Sequence, residues 1–188
     1  MVEKLTDLAE KLEAVSEDAR NSFGHLSAQQ LNWKPSAESW SIGQCLDHLI
    51  AGNREMAAQM ELKLRGDAKS TFFEKLPLLP RLFGPLVVNA VSPETARKSK
   101  NPKILDPAES DIPGDVVEKF IDSQKQVADT MEASDGVDLE KTIMTSPVPK
   151  FVTYSLLDGF RISVYHGQRH IMQAKRVMEE AGFPDGSQ

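Results

Sequence analysis

The chain has 188 residues, 40% of them apolar and 27% charged, and a net charge of −6. That is the size of one domain with a sizeable core and the composition of an ordinary globular protein. It carries no basic cluster of the kind that tracks phosphates, which argues against nucleic acid as a partner. No apolar run approaches the roughly 18 residues of a membrane span, and the first residues lack the cationic-then-apolar pattern of a signal peptide. The single Cys45 excludes an internal disulfide and suits a reducing compartment, so a cytoplasmic location is expected.

A first helix is expected over residues 2–23. Leu5, Leu8, Leu12, Val15, Ala19 and Phe23 recur every three or four positions, which draws one narrow apolar stripe. Ser27 reads as the cap of a single turn from Ala28 to Leu31, stopped by Trp33 and Pro35. The connector over 32–40 carries both tryptophans, and the pair is expected to plug one end of the core. Ser41-Ile42-Gly43-Gln44 fits the Ser-x-x-Gln capping box. A second helix therefore begins at Ile42 and runs to about Arg65, with Gly66 after it and Ile42, Cys45, Leu49, Met56 and Met60 on its core side.

Periodicity breaks down over residues 66–112. The prolines at 77, 80, 85, 93, 102 and 107 fall here, with Pro113 at the boundary. The stretch 76–91 is nevertheless strongly apolar, so this long connection is expected to pack against the domain, with no more than short helical turns around 82–91. A third helix is expected over 114–133, with Val117, Phe120, Ile121, Gln124, Val127, Ala128 and Met131 on one side. A second connector follows over 137–152, kept extended by Pro147 and Pro149. Thr153 or Ser155 then caps a last helix running to Ala181. No strand alternation, internal repeat or low-complexity tract interrupts this pattern.

Four amphipathic helices make an all-α four-helix bundle, one domain over 1–188. The 47-residue Pro-rich connection between helices two and three is long enough to cross the bundle, which gives an up-down-down-up order. The histidines suit that order, because it brings His48 and His170 to similar heights.

Of the four histidines, His166 and His170 lie four apart on the last helix, so both rings leave one face a turn apart. They sit about 80–120° off the centre of that helix's core stripe, on its shoulder. His48 occupies the same shoulder of the second helix. Three rings on flanks where two helices meet a groove can share a divalent ion that keeps one side open to water. Each also has a plainer reading as a boundary residue. His25, at the break after the first helix, reads as surface.

The residues that carry this pattern resemble a known family. Trp40-Ser41-Ile42-Gly43-Gln44-Cys45-Leu46-Asp47-His48-Leu49 is similar to the helix-two motif of the DinB-like (DinB/YfiT, damage-inducible) superfamily. His166-Gly167-Gln168-Arg169-His170-Ile171-Met172-Gln173-Ala174-Lys175-Arg176 is similar to its helix-four motif, and Asn32-Trp33-Lys34-Pro35 fits the connector. The resemblance implies an up-down-down-up four-helix bundle, a homodimer, and a Zn²⁺ or Ni²⁺ ion on His48, His166 and His170. Family members include transferases and isomerases that use a low-molecular-weight thiol such as bacillithiol or mycothiol, so a metal-dependent thiol S-transferase is the expected activity. Two alternatives stand beside it: a hydrolase with metal-activated water, and a stress-linked metal-binding protein without turnover.

No catalytic residue beyond the ion emerges. Asp47 adjoins His48 but points about 100° away, and Glu55 shares the His48 line at roughly 10 Å. Both read as solvated. Arg169 points away from the core towards another helix or the surface. Gln173 lies on the His166/His170 line, where it could touch substrate. Cys45 reads as a buried thiol and not as a ligand.

Overall fold

The computed structural model describes residues 4–67, 70–76, 78–95 and 111–185. Among them the chain forms six α-helices: α1 (Leu5–Phe23), α2 (Ala28–Asn32), α3 (Ile42–Leu64), α4 (Leu78–Val91), α5 (Val116–Glu132) and α6 (Leu156–Met178). A 3-10 turn at Phe73–Lys75 precedes α4, and strands β1 (Ile143–Thr145) and β2 (Thr153–Ser155) lie between α5 and α6.

The helix starts follow their caps. Ser27 Oγ accepts from Gln30 N at 3.3 Å while Gln30 Oε1 accepts from Ser27 N at 2.9 Å. Ser41 and Gln44 repeat the exchange at 3.1 Å in both directions. Two backbone donors that the helix itself leaves unpaired are thereby satisfied at each start. Of the two residues proposed to cap the last helix it is Ser155, the last residue of β2, whose Oγ accepts from Asp158 N at 3.1 Å.

Four long helices pack around the axis. α1 lies against α5 and α6, and α3 lies against the same two. The core falls into two apolar halves. One gathers Phe23, Leu31, Ile42, Leu46, Phe120 and Ile171; the other gathers Leu8, Met60, Met131, Met144, Tyr154 and Phe160. Between them runs a polar layer. Asn53 Nδ2 donates to Ser123 Oγ at 3.0 Å and to Gln124 Oε1 at 2.8 Å, and all three residues are at most 3% exposed. Gly167 faces the same layer: a Cβ there would sit 3.2 Å from Val15 Cγ1 and 3.6 Å from Gln124 Nε2. The absent side chain is what lets α1 approach α6 so closely.

Two expectations are corrected. The connector over 66–112 holds a full helix, α4, and not short turns. Pro80, Gly84 and Pro85 hide it from a periodicity argument, but its inward face packs on α6 and β2, and tertiary packing overrides propensity. Gly84 is where α4 comes closest, with room for no Cβ beside the Asp158 carboxylate. Second, the connector over 137–152 contributes β1, which pairs with β2 just beyond it in an antiparallel ladder: Ile143 with Ser155, Met144 with Tyr154 and Thr145 with Thr153. Three-residue strands are too short to alternate visibly in sequence. The prolines at 77, 102 and 107 lie outside the described residues. No helix among the described residues is long and apolar enough to cross a membrane.

Candidate metal centre

α3 and α6 bring His48, His166 and His170 together beside the polar layer. The ring centroids lie 4.9 Å apart for His48–His166, 4.7 Å for His48–His170 and 4.6 Å for His166–His170. The rings are steeply inclined to one another, at 79°, 61° and 86°, so their edges converge instead of stacking. One nitrogen from each ring lies within 4.8 Å of the other two. His48 Nε2 and His166 Nε2 are 3.1 Å apart.

These distances suit a metal. Two imidazole nitrogens at about 2.0–2.1 Å from a tetrahedral ion would be about 3.3 Å apart, close to the His48–His166 separation. His170 Nδ1 is buried with no hydrogen-bond partner among the described residues. A buried polar nitrogen without a partner is costly and uncommon. Three neutral imidazoles are also a donor set that Zn, Ni and related ions accept.

The surroundings hold the rings neutral. Burial lowers His166 from 6.5 to about 3, helped by His48 and then by the Arg169 guanidinium. Burial lowers His170 to about 2, helped by His166, His48 and Arg169 and opposed only by Gln173. A neutral ring keeps a lone pair for a cation. His48 and His170 are buried, while His166 is half-buried, so the cluster meets solvent at His166. The α3 wall there is Gly52, where even a Cβ would stay 3.9 Å from the His166 ring.

Trp40 is the residue that sequence reasoning missed. Its ring lies parallel to His170 at 5.7 Å and 19°, and tilted over His48 at 5.0 Å and 55°. Both tryptophans pack against the first core half, as expected of the pair, and Trp33 also meets Phe183 edge-on at 5.6 Å. The usable signal was position. Trp40 directly precedes the Ser41 cap, and the cap fixes the angle at which the chain joins α3.

The other residues singled out in sequence fall as follows. Arg169 does reach another helix, donating from Nη1 to Ala90 O near the end of α4 at 2.5 Å. Gln173 lies beside His170. Cys45 is fully buried, its thiol pushed up to about 12 by burial, and stands outside the cluster. His25 is exposed at the end of α1. Neither Asp47, partly buried, nor Glu55, exposed, joins the cluster.

Known proteins bear on this arrangement. The chain is 31% identical over 162 residues to the uncharacterized protein YuaE of Bacillus subtilis (strain 168), covering 85% of this chain and 90% of that one. No solved structure gives a significant match. The model of the DinB superfamily matches residues 11–174, which include all three histidines of the cluster, the whole of α3 and most of α6. The chain belongs to the DinB superfamily.

Proposed function

We propose that the protein is a metal-dependent transferase acting on a low-molecular-weight thiol, with a divalent ion, Zn²⁺ or Ni²⁺, held by His48, His166 and His170. The observation that carries this reading is the convergence of three histidine nitrogens within 4.8 Å of one another on two helices. A divalent ion in such a set supplies Lewis acidity strong enough to keep a thiol deprotonated at neutral pH. The chain's own residues do the rest. Burial and Arg169 keep the imidazoles unprotonated, Trp40 shields the inner side from water, and Gly52 leaves room for substrate beside His166.

The same ion would lower the pKa of a bound water as well as that of a thiol, and among the described residues no Asp or Glu oxygen joins the cluster. The hydrolase and the non-catalytic metal-binding protein remain the competing readings.

The same reading takes the chain as one domain with its long helices ordered up-down-down-up. Supporting pairs are Asn53 with Gln124 and Met60 with Thr130 for α3 beside α5, and His48 with His170 and Met60 beside Gly159 for α3 against α6. It also takes the protein as a cytoplasmic homodimer. A lone buried thiol is consistent with a reducing compartment.

The test is elemental analysis of the purified protein, followed by assay of metal-loaded and chelated samples with a thiol and chlorobimane. Stoichiometric metal and metal-dependent conjugation are expected. Ester or amide cleavage without conjugation would move the assignment to a hydrolase. Metal with neither activity would leave a binding protein, and full metal content in His170→Ala would remove the proposed site.

A further inference from the structure

α4 is apolar on both faces. Towards the domain it presents Pro80 and Gly84, buried, with Phe83, Val87, Val88 and Val91 half-buried. Towards solvent, positions 78, 81, 82, 85, 86, 89 and 90 are exposed, a spacing of three and four residues that marks one continuous helical face. A solvent face should be polar. This one offers Leu78, Leu82, Pro85, Leu86 and Ala90, with only Arg81 and Asn89 to wet it. Leu78 is 75% exposed, and Leu82 and Leu86 are 57% exposed.

The apolar surface continues beyond the helix. Phe72, Phe73 and Leu76 are exposed on the turn that packs against its start. The exposed Phe151 meets Phe83 with ring centroids 6.3 Å apart. Summed over these seven large side chains, the exposure equals about four fully exposed ones, on the order of 600–800 Å². The largest apolar patch of a typical monomer is about 300–600 Å², while a stable interface takes about 800 Å² from each partner.

The spacing identifies the occupant. A seam of three- and four-residue steps is complementary to another helix. The other exposed large apolar residues among those described, Leu62 and Met172, belong to two different helices, so α4 itself is the matching surface that the chain offers. Leu78, Leu82 and Leu86 form an i, i+4, i+8 ridge, and such ridges interdigitate at about −50°. A two-fold axis beside Leu82 sets Leu78 of one copy against Leu86 of the other, the self-complementary arrangement a symmetric dimer needs. α4 carries one charge, Arg81, and no acid, so the apposition buries no carboxylate.

We infer that the outward face of α4 is the homodimer interface, a second copy of this chain seating its own α4 across Leu82. This rests on the homodimer reading above and adds the surface. It also connects the interface with the histidine cluster, because Arg169 of α6, the residue before His170, is bonded to Ala90 of α4.

Cys45 is buried and the chain has no other cysteine, so an introduced cysteine reports on its own position. Cys45→Ser with Leu82→Cys is expected to close a disulfide between copies under mild oxidation. Cys45→Ser with Glu10→Cys, exposed on α1, is expected not to. Leu82→Lys should weaken self-association on the order of 100-fold, as removal of a central anchor does, with helicity and metal content unchanged. A chain that is monomeric at high micromolar concentration by analytical ultracentrifugation overturns both the dimer and its interface. A dimer that persists in Leu82→Lys and forms no disulfide through position 82 overturns the interface alone. Flotation of a monomeric protein with phosphatidylserine vesicles would assign the face to lipid and overturn the proposal.

Discussion

Removing metal should make the fold unusually sensitive to mild acid. His166 and His170 ionise near 6.5 when unfolded but are held at about 3 and about 2 when folded, chiefly by burial. Below 6.5 the unfolded chain therefore takes up protons that the folded chain refuses, and stability falls as pH falls, down towards the folded values. The two rings add no pH dependence well above 6.5. One unit below it, at about pH 5.5, each costs about 1.4 kcal/mol, so the pair costs about 2.5 kcal/mol relative to pH 7. That is a large fraction of the about 5–15 kcal/mol that holds a typical domain. Urea unfolding of chelator-treated protein at both pH values measures it. The control is His166→Gln with His170→Gln, which keeps every carboxylate titration and removes both rings. The wild-type chain should lose about 2.5 kcal/mol more than the control. Equal losses in the two proteins would refute the claim that the folded cluster is held neutral.

Four further outcomes follow from particular contacts. His170→Ala should lose most of its metal by elemental analysis, while Cys45→Ser, outside the cluster, should keep it. Cys45 should not react with a thiol reagent in the folded chain, since its thiol is buried and pushed up to about 12, and it should react at once in urea; modification at the folded-state rate of an exposed thiol would contradict this. Ni²⁺ should quench the part of the tryptophan fluorescence that comes from Trp40, which lies over His48 and His170, and Trp40→Phe should abolish most of that quenching. Gly167→Leu should destabilise the fold by about 1–3 kcal/mol through overpacking against Val15, read as a shifted urea midpoint.

The parts of this molecule that were legible in sequence are those governed by local rules. Ser27 and Ser41 capped the helices they were expected to start, with Gln44 returning the bond as its spacing implied, and the stripes of α1, α3, α5 and α6 became the core. A four-residue step puts His166 and His170 on one face, and His48 was joined to them by its shoulder position together with the resemblance of both motifs to the DinB-like superfamily. What escaped depended on contacts far apart in the chain. α4 forms despite Pro80, Gly84 and Pro85 because α6 and β2 supply its packing. Trp40 was read as a plug because nothing local says that an indole before a cap will cover two imidazoles 8 and 130 positions away. Gln124 was assigned to the core side of its helix, but its bond to Asn53, 71 residues earlier, has no mark in sequence.

The polar layer has one more consequence. An all-apolar bundle can slide, because leucines one turn apart are nearly interchangeable. Asn53, Ser123 and Gln124 are not, since a one-turn slip of α5 along α3 would strand two buried amides at about 1–3 kcal/mol each. The layer therefore acts as a register mark, as a single buried asparagine does in a coiled coil. Asn53 follows Gly52, the residue facing His166, and the empty side of Gly167 between the two α6 histidines faces Gln124. The helices are indexed at the height of the cluster, so error in their alignment is smallest where three nitrogens must meet at one point.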